Sequence, residues 1–281
     1  MWIGRKMPPR VGTALVRLFT PLIASRKNST LVRTIRTNQS VVRDLPIDAP
    51  ELDGAVREVI LNAGRAYYEV YHRVALGKEA VQEAITFSPE IYHAIDEARD
   101  QDQGTLIIGP HLGNLDLGLV GFAAAGLAVQ AITYAAPPGG YELQNQMRAD
   151  SGYIITPADA QAAKMALIRL RARGIVLTGI DRPLPEGNST IRFFGHPSPL
   201  PTGYTRLALS TNAQVLMIWM EPVPGGWYVQ ATGPLELLRT GKRKEEIILN
   251  TERILEIAAE KIRARPGEWM LFHPVWPQLM V

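Results

Sequence analysis

The chain has 281 residues, no cysteine and a formal net charge of +3 at pH 7. Its length suffices for one large α/β domain with a sizeable core. The absence of cysteine excludes disulfides, thiol nucleophiles and thiolate metal sites, and it is compatible with the cytoplasm. No apolar run followed by a small-residue cleavage site opens the chain, so we expect no secretory signal.

The N-terminal part of the chain is strongly basic. Residues 1–43 carry nine basic residues and no acidic one, a net charge of +9, whereas the remainder carries −6. A charge of this kind suits a polyanionic partner such as anionic lipid, an acidic protein or nucleic acid. Apolar residues recur in the same part near helical spacing: Val11, Leu15, Leu18, Leu22 and Ile23.

A basic amphipathic helix is typical of segments that lie in a membrane interface. We therefore predict that residues 1–45 form a basic amphipathic membrane-interface segment on an anionic surface, followed by one domain over residues 46–281. The alternative is an ordinary core-packing helix with solvated arginines. Pro21 is expected to kink or break the helix. Nucleic acid is not expected as a partner, because the chain has no recognition motif and no interleaved aromatic platform.

Helical patterns dominate residues 9–99, and strands then alternate with helices. This alternation predicts an α/β fold with a mostly parallel central sheet flanked by helices, and a helical N-terminal extension. The predicted strands are GTLIIGP, AVQAITYA, GYIITP, GIVLTGI, TIRFFG, AQVLMIWME and GWYVQATG. The predicted helices between and after them are NLDLGLVGFAAAG, YELQNQMRADS, ADAQAAKMALIRLRAR, TGYTRLALSTN and KRKEEIILNTERILEIAAEKIRAR.

The apolar run over residues 117–136 resembles a membrane span in hydropathy alone. It is rich in Ala and Gly, which contribute little transfer free energy, and Gly126 interrupts it. We predict a buried helix followed by a buried strand, not a transmembrane helix.

The stretch GPHLGNLDLG places His111 after a buried strand, at the edge of the sheet where open α/β folds bind ligands. Gly113 permits an unusual turn and Asn114 can cap the next helix. Asp116, in the first helical turn, is then predicted to reach back to Nδ1 of His111. This pairing would fix the tautomer and leave Nε2 to take a proton from a substrate hydroxyl. The alternative is a capped helix beside a histidine of purely structural role.

Other catalytic patterns are missing. The chain has no nucleophile elbow, no P-loop and no dinucleotide fingerprint. The remaining histidines have no metal-ligand spacing, so we expect no metal. His72 and His93 fall in helical patterns and are predicted to be structural, whereas His196, in the loop FFGHP, is the rival candidate for the site.

Four blocks, in order, resemble a known family. They are HLGNLD, LQNQMRADSG, GIDRPLPEGNSTIRFFGHPSPLPTG and RPGEWMLFHPVWP. The first is similar to the H-x4-D/E signature of the lysophospholipid and glycerophosphate acyltransferase superfamily. Together they resemble the bacterial lipid A biosynthesis (lauroyl and myristoyl) acyltransferases and the related phosphatidylinositol mannoside acyltransferases, over roughly residues 30–278.

The resemblance implies an O-acyltransferase with a glycerophosphate acyltransferase-like fold. Its donor would be acyl-CoA or an acyl-carrier protein, its acceptor a hydroxyl of a membrane glycolipid or phospholipid, and it would need no cofactor. By the motif match, His111 is the general base and Asp116 its orienting partner. The other matched positions are expected to bind substrate: Arg148, Asp181, Phe193, Phe194 and Gly195. Arg182, which follows Asp181, is expected to bind substrate as well.

Three positions depart from the family pattern. Ala135 and Pro274 stand where the family usually has arginine, and Arg182 replaces a glutamine. These departures concern acceptor recognition. They leave two alternatives open, a non-catalytic lipid-binding protein on the same scaffold and a (thio)esterase with His111 activating water. Because the N-terminal segment is short and charged, we predict peripheral attachment to the cytoplasmic face of the plasma membrane.

Overall fold

The computed structural model describes residues 7–133, 152, 154–183 and 191–280, and it has the predicted α/β architecture. A seven-stranded, mostly parallel sheet lies at the centre and is covered by helices on both faces. Two further strands form a separate antiparallel hairpin. The predicted fold class is therefore confirmed.

The described elements follow the predicted alternation from residue 105 onward. The helices are α1 (Pro9–Ala24), α2 (Thr30–Arg43), α3 (Glu51–Leu76), α4 (Lys78–Glu83), α5 (Pro89–Asp100), α6 (Leu115–Ala124), α7 (Ala160–Arg171), α8 (Gly203–Thr211) and α9 (Arg243–Ala264). The strands are β1 (Ile85–Phe87), β2 (Thr105–Gly109), β3 (Val129–Thr133), β4 (Ile154–Pro157), β5 (Ile175–Gly179), β6 (Ile191–Phe193), β7 (His196–Ser198), β8 (Gln214–Val223) and β9 (Gly226–Thr232). Short 3₁₀ turns cover Pro266–Glu268 and Pro277–Leu279.

Strand β2 lies in the middle of the main sheet, whose order is β1-β9-β8-β2-β5-β3-β4. It is parallel to both neighbours, β8 and β5. All five of its residues are buried, which explains why it reads as a continuous apolar run. The register pairs Gly109 with Gly179. The chain therefore leaves β2 and β5 at the same edge of the sheet and at the same level.

The core lies on both faces of the sheet, as the alternation of side chains along a strand requires. Leu106 and Ile108 of β2 pack into a cluster with helices α7, α8 and α9. Ile107, between them, packs into the opposite cluster with α5 and α6. Each fully buried aliphatic side chain contributes about 1.5–3 kcal/mol to folding. These two clusters fix the strands whose ends carry the site.

Helix α2 belongs structurally to the domain, although it falls within the predicted interface segment. The side-chain amide of Asn38 donates to the carbonyl oxygens of Leu271 and His273, at 3.1 and 3.0 Å. Gln39 donates to the carbonyl oxygen of Pro266 at 2.9 Å. The boundary at residue 45 stays a prediction, but α2 is held against the C-terminal segment.

Helix α1 packs on α3 through small residues. A Cβ atom on Gly12 or Gly64 would overlap Tyr68 or Val16 respectively. The helix does not end at Pro21 but continues to Ala24. Proline has no backbone N–H, so at this position, one turn before the C-terminal end, the helix loses only one backbone hydrogen bond. Its outward face is apolar, and in the described part of the chain no helix is long and apolar enough to cross a bilayer.

Several predicted elements differ from those found. The strands β1 and β7 are not predicted, since three-residue strands carry too little periodicity. The predicted strand TIRFFG contributes β6 to the hairpin, not to the main sheet. The apolar run from residue 117 forms α6 and then β3, as predicted. The predicted helix over residues 141–151 lies outside the described residues.

Candidate active site

His111 lies in the loop between β2 and α6. Gly113 has φ of +75°, which glycine adopts without strain, and a Cβ there would lie 2.5 Å from the carbonyl oxygen of Met220. The side chain of Asn114 caps α6 by accepting from the backbone N–H of Leu117 at 3.3 Å. The predicted turn and cap are therefore confirmed.

The partner of the His111 ring is Asp181, which follows β5. Oδ1 of Asp181 is 2.6 Å from Nδ1 of His111, and Oδ2 accepts the backbone N–H of His111 at 2.8 Å. This corrects the predicted pairing of Nδ1 with Asp116, which instead lines a cavity beside His111. The reason is the register of β2 and β5, because positions two residues beyond Gly109 and Gly179 meet directly.

Asp181 is a fully buried carboxylate with three hydrogen bonds. The third donor is the indole Nε1–H of Trp269, 2.7 Å from Oδ2. Burial by itself raises the pKa of Asp181, but the His111 ring and these hydrogen bonds outweigh burial and hold the pKa below its usual value. Asp181 is therefore ionised, and it lies behind the His111 ring and not at the substrate-contact position expected of it.

The geometry leaves His111 able to act as a base. An ionised carboxylate only accepts hydrogen bonds, so Nδ1 donates to Asp181 and Nε2 is the nitrogen that remains to take a proton. The His111 side chain is 22% exposed and lines an open cavity. A histidine oriented by a buried carboxylate is the arrangement of a general base.

The cavity beside His111 has a volume of about 530 Å³ and a mainly apolar lining. It reaches helix α3 on one side and α8 on the other. A cavity of this size and character takes an apolar or amphipathic ligand. Apolar groups in its wall include Ala63, Ala66, Val70, Leu119, Leu177 and Leu207.

Polar groups of the cavity lie close to the histidine. Arg182 and Asp116, both of them predicted site residues, line the cavity. His273 lines it too, and burial, helped by the charges of Arg182 and His111, lowers the pKa of His273 to about 4. The His273 imidazole is therefore neutral near pH 7. His273 was not predicted as a site residue, although it falls in the block RPGEWMLFHPVWP.

The aromatic pair Phe193 and Phe194, which is expected to bind substrate, packs against two tryptophans. Phe193 is 1% exposed and stacks on Trp276, with ring centroids 5.7 Å apart. Phe194 stacks on Trp269 at 6.4 Å. Neither ring, nor Gly195 after them, is part of the described cavity wall. The Phe193 and Phe194 rings pack against the tryptophans behind the site, and Gly195 is exposed.

The remaining candidates lie elsewhere. Arg148 falls outside the described residues. His196, the rival histidine, is exposed on β7 and is not in the described wall of the cavity. His72 stacks on Tyr68 within α3, and His93 is exposed on α5. Of the histidines that the structure describes, only His111 and His273 line the cavity.

Comparison with known proteins decides the family. A family model described as bacterial lipid A biosynthesis acyltransferase matches residues 1–278. The chain belongs to this family. In the lipid A biosynthesis acyltransferase fold of this chain, the blocks HLGNLD and RPGEWMLFHPVWP lie in contact, since the backbone N–H of Met270 donates to the carbonyl oxygen of His111 at 2.9 Å.

Curated relatives of this family member are phosphatidylinositol mannoside acyltransferases. Two from Mycobacterium tuberculosis, strains CDC 1551/Oshkosh and H37Rv, are each 24% identical over 188 residues, which is 65% of this chain and 57% of theirs. One from Mycolicibacterium smegmatis is 22% identical over 244 residues, 84% of this chain and 76% of its own. The match thus spans less than two thirds of the length of the M. tuberculosis relatives.

Proposed function

We propose that this chain is an O-acyltransferase that moves a fatty acyl chain from an acyl thioester to a hydroxyl of a membrane glycolipid or phospholipid. The observation that carries the proposal is the contact of 2.6 Å between His111 and Asp181 at the wall of an apolar cavity. Such an imidazole suits removal of a proton from an alcohol, and the cavity suits an acyl chain. Membership in the lipid A biosynthesis acyltransferase family supports the same reaction class.

In the proposed reaction, the acceptor hydroxyl attacks the thioester carbonyl carbon while Nε2 of His111 takes the hydroxyl proton. The resulting tetrahedral intermediate carries its negative charge on the former carbonyl oxygen. When the intermediate collapses, the C–S bond breaks, and protonated His111 returns the proton to the departing sulfur. The products are an ester and a free thiol. Asp181 stays ionised throughout and stabilises the imidazolium.

The polar groups near His111 are assigned to the substrates. The Arg182 guanidinium suits a headgroup phosphate or the developing oxyanion. Asp116 offers a carboxylate to hydroxyl groups of the acceptor, and Arg148 is assigned to substrate by its motif match. The donor is acyl-CoA or an acyl-carrier protein. Because the mycobacterial relatives carry the name phosphatidylinositol mannoside acyltransferase, a mannosylated phospholipid is the first acceptor to test.

The purified protein, incubated with acyl-CoA, tests the proposal through release of thiol. We expect release that depends on added lipid extract, together with acylated lipid detected by mass spectrometry. Release without lipid would instead identify a thioesterase. No release with either acyl-CoA or acyl-carrier protein, combined with binding of lipid, would identify a non-catalytic lipid-binding protein.

The N-terminal helix supports peripheral attachment to an anionic membrane. Five apolar side chains of α1 are between 38% and 67% exposed: Val11, Leu15, Leu18, Phe19 and Leu22. Exposed basic residues lie on or just after the same helix: Arg10, Arg17, Arg26 and Lys27. Helix α1 contacts α3 at Gly64, next to cavity-lining Ala63. A protein docked through α1 on the cytoplasmic face of the plasma membrane would therefore hold its cavity near the lipid.

Sedimentation with vesicles of phosphatidylglycerol and phosphatidylcholine measures this attachment. We expect the double variant Leu18→Glu, Phe19→Glu to bind more than about a hundredfold more weakly, because each buried apolar side chain is worth about 1.5–3 kcal/mol and each loss of about 1.4 kcal/mol is a factor of ten. High salt should also weaken binding of the wild-type protein. The matched control is Ile168→Glu, on α7, where the isoleucine is 56% exposed. Equal binding by the double variant would contradict docking through α1.

A further inference from the structure

We propose that Trp269 is a positioning residue for the site, whose indole N–H sets the orientation and the proton affinity of the His111–Asp181 pair. The inference rests on the proposed function, because it assigns to Trp269 an effect on the base of that reaction. Its physical basis is the hydrogen bond from the Trp269 indole to Oδ2 of Asp181, the carboxylate oxygen that does not contact the His111 ring. This carboxylate has no access to solvent.

The hydrogen bond is short and fully enclosed. Nε1 of Trp269 is 2.7 Å from Oδ2 of Asp181, and both residues are buried, with exposures of 1% and 0%. Oδ2 also accepts the backbone N–H of His111 at 2.8 Å. With two donors on Oδ2, the carboxylate cannot turn without losing both, so Oδ1 remains on Nδ1 of His111. Hydrogen bonds to an ionised group are stronger than those between neutral groups.

The indole itself is held in place by a cluster of aromatic rings. Phe194 stacks on Trp269 at 6.4 Å, and Phe193 and Trp276 approach it at 6.3 and 6.1 Å. The Arg263 guanidinium lies over the outer face of Phe194, 4.6 Å from the ring centroid. Such ring contacts restrict the indole to one orientation. The cluster therefore gives the residues at the β6 end a role that does not require contact with substrate.

The backbone around Trp269 is hydrogen-bonded to the loop that carries His111. Residues Leu112 and Trp269 form an antiparallel bridge. On either side of it, the N–H of Met270 donates to the carbonyl oxygen of His111, and the N–H of Gly113 donates to that of Glu268, both at 2.9 Å. One short segment thus fixes the histidine loop through its backbone and the carboxylate through its indole.

The other ionisable groups around the pair do not replace this donor. Arg182 and His273 line the cavity, and Asp116 lines it from α6. Tyr204, on α8, is neutral, because burial raises its pKa. Among the described residues, the other hydrogen bonds to Asp181 come from His111 itself, and Trp269 is the donor from outside the histidine loop. Removing its N–H raises the proton affinity of the pair, since the anion loses a stabilising dipole.

The variant Trp269→Phe keeps an aromatic ring and removes the donor. We expect kcat for acyl transfer to fall about tenfold with KM little changed, as for loss of one hydrogen bond to a charged group. The acidic limb of the kcat/KM profile should move to higher pH, because the pair holds its proton more tightly. The matched control is Trp276→Phe, which removes an indole N–H bonded to the carbonyl oxygen of Phe193 in the same cluster. It should leave the pH profile unchanged.

An unchanged pH profile in folded Trp269→Phe would overturn the proposal, as would an equal shift in both variants. A measurement on the wild-type protein covers the case in which the variant does not fold. The NMR resonance of the Trp269 indole N–H should shift with pH at the midpoint at which the pair gains its proton. A resonance that stays fixed while the His111 ring resonances titrate would overturn the proposal. This titration needs no turnover, so it separates the inference from failure of the proposed function.

Discussion

Replacing His111 with glutamine should lower acyl transfer about 10²–10⁴-fold, the usual contribution of a general base. The glutamine amide cannot accept a proton at neutral pH, so the acceptor hydroxyl must attack without losing its proton to the protein. Its amide N–H can still donate to Asp181. This matters because Oδ1 of the fully buried Asp181 would otherwise lose the partner that the His111 ring provides, which destabilises the fold. Initial rates of lipid acylation from acyl-CoA measure the effect.

The matched control for His111→Gln is His196→Gln. His196 is the rival histidine of the sequence analysis, and it is exposed on the β6–β7 hairpin, away from the described cavity wall. We expect this variant to retain the wild-type rate within a factor of about two, as is usual for surface substitutions. Full activity in folded His111→Gln, or loss of activity only in His196→Gln, would reject His111 as the base.

The local part of the site is predictable from the sequence because short-range rules determine it. The run TLIIG reads as a buried strand, Gly113 permits the positive φ of the turn, and Asn114 is a good helix cap. These local features are enough to place His111 at the carboxyl edge of the sheet. The element order from residue 105 onward follows from the same kind of local pattern.

The partner of His111 is not close to it in the sequence, which is why local spacing predicts Asp116 instead. Asp181 lies seventy residues away and meets His111 only because β5 pairs with β2, although β3 and β4 come between them along the chain. Strand order of this kind depends on how helices pack across the sheet, which periodicity does not encode. The sequence does hold one signal of the pairing, because both residues stand two positions beyond the last residue of a buried strand.

The contribution of the C-terminal segment to the site is also non-local, although its residues fall in the block RPGEWMLFHPVWP. Trp269 and His273 follow α9 in a segment with little regular structure, and only the tertiary fold carries that segment back to the histidine loop. The aromatic pair Phe193 and Phe194 illustrates the converse. Their motif position predicted contact with substrate, but the hairpin turns them toward Trp269 and Trp276. A motif gives the neighbourhood of a site, whereas the packing decides which side chains reach it.

Replacing Asp181 with asparagine should be nearly as damaging as loss of the histidine, with a fall in rate of roughly 10²–10⁴-fold. The reason lies in the two N–H donors on Oδ2, from the His111 backbone and Trp269. The oxygen of the asparagine amide must take that position, so its NH₂ group faces Nδ1 of His111. Nδ1 then accepts, the proton moves to Nε2, and the nitrogen that should take the hydroxyl proton already carries one.

The isosteric change Asp116→Asn is the matched comparison, because Asp116 lines the same cavity without occupying Nδ1 of His111. We expect it to raise KM for the acceptor more than it lowers kcat, and to cost less overall than Asp181→Asn. Steady-state rates with varied lipid acceptor separate the two effects, and ¹⁵N NMR of the His111 ring reports which nitrogen is protonated in each variant. If Asp116→Asn lowers kcat more than Asp181→Asn does, or if Asp181→Asn leaves the ring tautomer unchanged, then Asp181 is not the residue that orients the base. Comparing the kcat losses of the two variants thus tests which carboxylate orients His111. A larger loss in Asp181→Asn would mean that the register of β2 and β5, which brings residues 111 and 181 together, prepares the histidine to act as a base.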